Sequence, residues 1–199
     1  AVADRYKKGE ISYAQLARHH LAALGHPALL AQTGKALGLG EGDFAAGKDP
    51  LAMLSVRLGS ASGHALSLAA IYGIAMSPAG LAAISGLAEE QAAAFAREWQ
   101  DLSLAYAVGK LWAIPPTLRA PLLAALSMQE QRAAQKAAGD FQRDLAEAGR
   151  SSELELSRLD VLLEARGHFL AAEDLASAIV VTARISGYLQ RRGYYSELI

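Results

Sequence analysis

Gly42 to Asp49 read GDFAAGKD, which spells the phosphate-binding loop G-x-x-x-x-G-K-[ST] up to its last position, where Asp49 stands in place of a hydroxyl. The chemistry of such a loop needs backbone N–H groups around the phosphates, a lysine on the β and γ groups, and a Ser or Thr hydroxyl on Mg²⁺. An aspartate there adds negative charge beside the phosphates. The loop must also leave a buried strand and open a helix, whereas GKALGLGE precedes it with no β-branched run and Pro50 follows at once. The residues therefore read as a Gly-rich connector, with Lys48 as the one phosphate-binding candidate in it.

The other chemistry-bearing residues are scattered. His19, His20, His26, His64 and His168 contain no H-E-x-x-H pair and no two histidines spaced i, i+4, so a zinc site presented by one helix has no support. His19 and His20 are adjacent and cannot share a helix face. Ser62-Gly63 and Ser85-Gly86 lack the flanks of a nucleophile elbow. The acid pairs Glu89-Glu90 and Glu173-Asp174 fall near expected helix starts, where the helix macrodipole favours them without any catalytic role. With no cysteine in the chain, disulfides, thiol catalysis and thiolate metal sites are excluded. That composition is compatible with a reducing cytosol, and a cytoplasmic location is expected.

These residues must be positioned by helices. Hydrophobic residues are 52% of the 199, much of that alanine and leucine, while aromatics are only 7%, so a mostly α chain is expected. The formal net charge of -1 gives no global attraction to nucleic acid or to an anionic membrane. No stretch offers 18 uninterrupted apolar residues, so no membrane partner is expected. The opening AVADRYKKGE is neither a signal peptide nor a Met start, and an excised piece of a longer protein is expected.

Along the chain, ISYAQLARHHLAAL and ALLAQTGKAL read as two helices around the Gly25-His26-Pro27 corner, and another helix begins near Leu51 after the Gly-rich loop. HALSLAAIYGIA predicts a helix, and Ser77-Pro78 supplies an N-cap with proline at the first helical position for the short AGLAAISG. LAEEQAAAFAREWQDLS predicts a third helix with Leu87, Ala94, Phe95, Trp99 and Leu102 on one side. LAYAV and LWAI around Gly109-Lys110 predict a β-hairpin, which Pro115-Pro116 ends before TLRAPLLAAL returns to helix. Three helices and a hairpin are the order of a winged helix, with residues 78 to 102 as its helix-turn-helix.

Beyond Ser127 the chain is expected to be helical throughout. MQEQRAAQKAAGDFQRDLAEAG is polar and reads as an exposed connecting helix. SELELSRLDVLLEARG carries Leu154, Leu159, Leu162 and Leu163 on one stripe and is expected to stop at Gly167. Arg166-Gly167-His168-Phe169 and Arg192-Gly193-Tyr194-Tyr195 share one phrase, each expected at a helix-to-helix turn, as in an α-solenoid. Tyr188, Tyr194 and Tyr195 with Arg191 and Arg192 either stack on a base or peptide or fill the next inter-helix interface.

This succession resembles the middle of STAND signal-transduction ATPases, the group containing NACHT and NB-ARC proteins: a small helical domain, a winged helix with a short β-hairpin, then TPR-like helical hairpins. On that likeness residues 1–61 form a helical lid-like segment, 62–127 the winged-helix domain, and 128–199 a helical connector and the start of a TPR-like array. Leu24-Gly25-His26-Pro27-Ala28-Leu29 looks like the corner of the helical lid, whose proline packs on adenine in that family. The resemblance thus implies Pro27 as a nucleotide contact, with Gly25 and His26 shaping the turn; a plain helix break explains the same residues.

The family often carries a histidine just after the wing that reaches the ADP β-phosphate, but LWAIPPTLRAPLL has none, and Arg119 is the nearest cation. With no full P-loop and no strand ending in paired acids, no ATP hydrolysis by this piece and no cofactor in isolation are expected. The resemblance places ADP or ATP in a full-length parent, which could also form a homo-oligomer, and makes that parent's nucleotide-binding domain and other proteins the partners. The alternatives are a helical protein-binding scaffold and a winged-helix transcription-regulator segment, neither with a nucleotide link. Against DNA, the second helix of the helix-turn-helix, Ala88 to Asp101, sets Glu89, Glu90, Glu98 and Asp101 against Arg97 alone, so phosphates would repel it.

Overall fold

The structure, a computed structural model, describes residues 50–73, 75–102, 104–154 and 156–192. Among them are seven α-helices, a 3₁₀ turn and one two-stranded antiparallel sheet: α1 (Pro50–Ala69), α2 (Pro78–Ser85), α3 (Glu89–Asp101), β1 (Tyr106–Val108), β2 (Leu111–Ala113), α4 (Pro116–Ala124), α5 (Met128–Glu147), the 3₁₀ turn (Arg150–Leu154), α6 (Arg158–Ala171) and α7 (Leu175–Arg192). The chain is mostly α, as its alanine and leucine content predicts.

Gly59, at φ 75 and ψ 160, divides α1 into two helical pieces. The helix predicted from His64 to Ala75 ends at Ala69 instead, because the last N–H groups turn to i−3 carbonyls: Ile71 N–H to Leu68 O and Tyr72 N–H to Ala69 O. Arg119 on α4 closes this end, its Nε donating to Ala70 O at 3.2 Å and its Nη1 to Gly73 O at 3.0 Å. A cation on the exposed carbonyls of a helix C-terminus satisfies groups the helix itself leaves unpaired.

α2 starts as expected, with Ser77 Oγ accepting from Gly80 N–H and Pro78 at the first helical position, and it ends at Gly86 in the left-handed conformation. The buried line of α3 is Ala92, Ala96 and Trp99, with Leu87, Phe95 and Leu102 partly buried beside it; Ala94 faces out. β1 and β2 pair Tyr106 with Ala113 and Val108 with Leu111, and Gly109 supplies the positive φ of the turn. Met76 adds a single bridge on the other side of β2, exchanging both backbone hydrogen bonds with Trp112.

Two apolar clusters result. The first gathers Leu66, Leu81, Trp99, Leu104 and Leu118 from the helices and hairpin up to α4. The second gathers Leu145, Val161, Leu162, Phe169, Val181 and Ile185 from α5, α6 and α7. α5 contributes to both, Ala134 and Ala138 to the first and Leu145 and Ala146 to the second.

Two expectations are corrected here. α5 is no exposed connector: it presents Ala134, Ala138, Gly139, Gln142, Leu145 and Ala146 inward. Four of these six are alanine or glycine, too small to register as an apolar stripe, yet small side chains let neighbouring helices approach closely. Gly167 does not stop a helix either, because α6 runs through Arg166-Gly167-His168-Phe169 to Ala171. The turn lies at Ala172 to Asp174, with Glu173 at φ 61 and Asp174 capping α7 through Ser177 N–H. The second phrase, from Gly193 on, lies outside the described residues.

Candidate functional site

A cleft holding the buried His168 lies where the chain leaving α1 meets α5 and α6. α6 brings Asp160, Leu163, Glu164, Gly167, His168 and Ala171 to one face by the i, i+3, i+4 rule, and α5 adds Gln135. Ile71 and Gly73 close the other side of a cleft of about 450 Å³.

His168 is 5% exposed. Its Nδ1 lies 2.6 Å from Gln135 Oε1, and its Nε2 lies 3.5 Å from Glu164 Oε2 without a hydrogen-bond partner. With the Gln135 oxygen as acceptor, Nδ1 carries the ring proton. Tyr72 meets the imidazole edge to face and donates its hydroxyl to Gly80 O at 3.0 Å. Burial, and secondarily the negative Glu164, raises the Tyr72 pKa well above the ordinary phenol value, so the ring stays neutral.

Five side chains from four elements thus converge: Tyr72 after α1, Arg119 on α4, Gln135 on α5, and Glu164 and His168 on α6. A Cβ placed at Gly73 would lie 3.8 Å from Glu164 Oε1 and 3.9 Å from an Arg119 Nη atom. The arrangement ties the first apolar cluster to the second through polar contacts.

Of the residues singled out by sequence, Gly25, His26 and Pro27 lie outside the described residues, as do His19, His20, Lys48 and the rest of Gly42 to Asp49. Arg119, the nearest cation after the wing, donates to the carbonyls of Ala70 and Gly73 just beyond α1. Ser85 Oγ donates to Leu81 O within its own helix, while Ser62 Oγ accepts from the buried Trp99 Nε1 at 3.0 Å and donates to Glu98 Oε2 at 2.8 Å. Glu89 and Glu90 open α3, as expected for acids at a helix start, and Glu173 and Asp174 pair with Arg132 and Lys136 of α5.

Sequence reasoning missed the role of His168, which it placed at a turn. The local signal, Glu164 and His168 at i, i+4, was hidden by the expected stop at Gly167, whereas α6 carries both residues. Among the described residues there is no cluster of three or more metal-ligating side chains, and no helix long and apolar enough to cross a membrane. Comparison of the chain with protein-family models, curated proteins and solved structures finds no match.

Proposed function

We propose that this chain is the regulatory, protein-binding portion of a STAND-type signal-transduction ATPase, in which a winged helix over residues 62–127 passes movement between a lid-like segment over 1–61 and helical hairpins over 128–199. The observation that carries this reading is the sharing of α5 by both apolar clusters, braced by the Tyr72, Gln135, Glu164 and His168 joint. A load on α6 or α7 reaches the first cluster through one continuous helix and one set of polar contacts. The order of α1, the Met76 bridge, α2, α3 and the β1–β2 hairpin supports the winged helix, and the antiparallel run of α5, α6 and α7 supports a TPR-like array.

In this reading ADP or ATP belongs to a cytoplasmic parent whose own nucleotide-binding domain is the first partner, with homo-oligomers formed at that level. A ligand on the hairpins moves the switch only by its differential affinity for the closed and open states, about 1–3 kcal/mol in typical allosteric couplings. The test is ATP turnover by the full-length protein. Glu164→Gln combined with His168→Gln, which loosens the joint, is expected to change turnover several-fold; a rate insensitive both to that pair and to deletion of residues 62–126 sinks the proposal.

A helical protein-binding scaffold is the second reading, and the exposed Leu175, Ile179 and Val180 on α7 favour it. Partner binding that is indifferent to nucleotide in the full-length protein would select it over the switch.

A further inference from the structure

Away from the joint, the hollow between the start of α6 and the second half of α7 has a different chemistry. It measures about 290 Å³, and three guanidinium groups line it: Arg158, the first residue of α6, and Arg184 and Arg191 on α7. Arg184 and Arg191 are seven residues apart and so lie on one face of their helix. Gly187 sits between them, and a Cβ added there would make only ordinary contact with Arg191 Nη1, at 3.5 Å.

Glu147, at the end of α5, is the one carboxylate lining the hollow among the described residues, and its Oε1 contacts Arg184 Nη1. The pocket therefore already receives a carboxylate oxygen. Three guanidiniums against one carboxylate leave two positive charges unmatched, which equals the charge of a phosphomonoester dianion near neutral pH. Leu162 and Tyr188 supply an apolar floor and wall for the group that carries the phosphate. Arginine forks suit this geometry, since each presents paired N–H donors to two oxygens.

We infer that this hollow binds a phosphomonoester, with Arg158 and Arg191 as the ligand's principal partners and Glu147 as a built-in competitor for Arg184. The inference stands independently of the nucleotide switch, because neither the joint nor a parent ATPase enters it. The same chemistry has two sources, a phosphorylated side chain on a partner protein and a free phosphate metabolite.

The test titrates the whole chain with four probes, read by backbone amide shifts and calorimetry: an uncharged peptide bearing one phosphoserine, the same peptide with serine, inorganic phosphate, and a short single-stranded DNA. The phosphopeptide is expected to shift the amides of Arg158, Arg184, Gly187 and Arg191, and the serine peptide to shift none. Arg158→Gln and Arg191→Gln change exposed side chains, so circular dichroism should show an unaltered fold, while each weakens binding by about tenfold or more. Glu147→Gln should tighten binding several-fold, an effect that arginines serving only as structural ion-pair partners would not produce. Inorganic phosphate binding as tightly as the phosphopeptide supports the site and assigns it to small phosphates. Affinity unchanged by Arg191→Gln, weaker binding in Glu147→Gln, or DNA binding more tightly than the phosphopeptide would each overturn the inference.

Discussion

The rings of Tyr72 and His168 meet edge to face, centroids 5.3 Å apart and planes at 80°, and this contact joins the segment just after α1 to the last turn of α6. Both rings are nearly fully buried, and each carries a polar atom directed to a different element: Gly80 on α2 and Gln135 on α5.

Tyr72→Phe keeps the ring contact and removes the hydroxyl that donates to Gly80 O. The loss is expected at about 1 kcal/mol, more if the carbonyl is left without a donor, and is read as a lower denaturation midpoint. The pH dependence gives an independent check. The folded phenol titrates above its ordinary value of 10.0, so its contribution is complete below pH 10 and is lost as pH rises beyond it, where the unfolded chain ionises first. The alkaline limb of the stability profile should flatten in the variant; an identical limb would contradict the assignment.

Asp174 predicts the opposite limb. The Lys136 ammonium, then the Ser177 backbone and hydroxyl, hold its carboxyl down at about 2, against an ordinary 3.8. Its contribution is therefore present above pH 3.8 and is lost as pH falls toward 2. Asp174→Asn should lower stability at neutral pH and reduce the acid-side slope, measured by urea melts across that window.

Two glycines on facing helices should answer alanine with opposite signs. At Gly139 a Cβ would stand 2.9 Å from two atoms of the Phe169 ring, which is fully buried, so Gly139→Ala is expected to destabilise by about 1–3 kcal/mol. At Gly167 nothing lies within 4 Å, so Gly167→Ala should stabilise α6 by about 0.5–1 kcal/mol. Equal effects in thermal melts would mean the close approach of α5 and α6 is misplaced.

Ser62→Ala should cost about 1–3 kcal/mol, because the fully buried Trp99 Nε1–H loses its acceptor. Denaturant midpoints measure the loss.

What was legible in the sequence was whatever short-range chemistry dictates. Ser77-Pro78 starts α2, Gly109-Lys110 turns the hairpin, and Pro115-Pro116 ends β2, because caps and turns are decided by neighbours in the chain. α5 was misread because alanine and glycine bury themselves without an obvious apolar stripe; their inward face shows only when Phe169 lies against Gly139. The joint was invisible for a similar reason. Gln135 and His168 are 33 residues apart, and no spacing rule connects positions that distant. Gly167 reads as a stop signal by local preference, but the packing of Ala165 and Phe169 on either side of it carries the helix through.

Glu173 holds a left-handed backbone, φ 61, that a glycine would adopt without the strain of about 1 kcal/mol an L side chain incurs. Its carboxylate reaches Arg132 near the start of α5, while Asp174 beside it reaches Lys136 one turn further on. A glycine would relax the corner and erase half of this pair of moorings. The strained residue thus works as an address label: it fixes along which stretch of α5 the α6–α7 hairpin must berth, since a slip by one helical turn would set Asp174 against Asp140 in one direction or Glu173 against Met128 in the other.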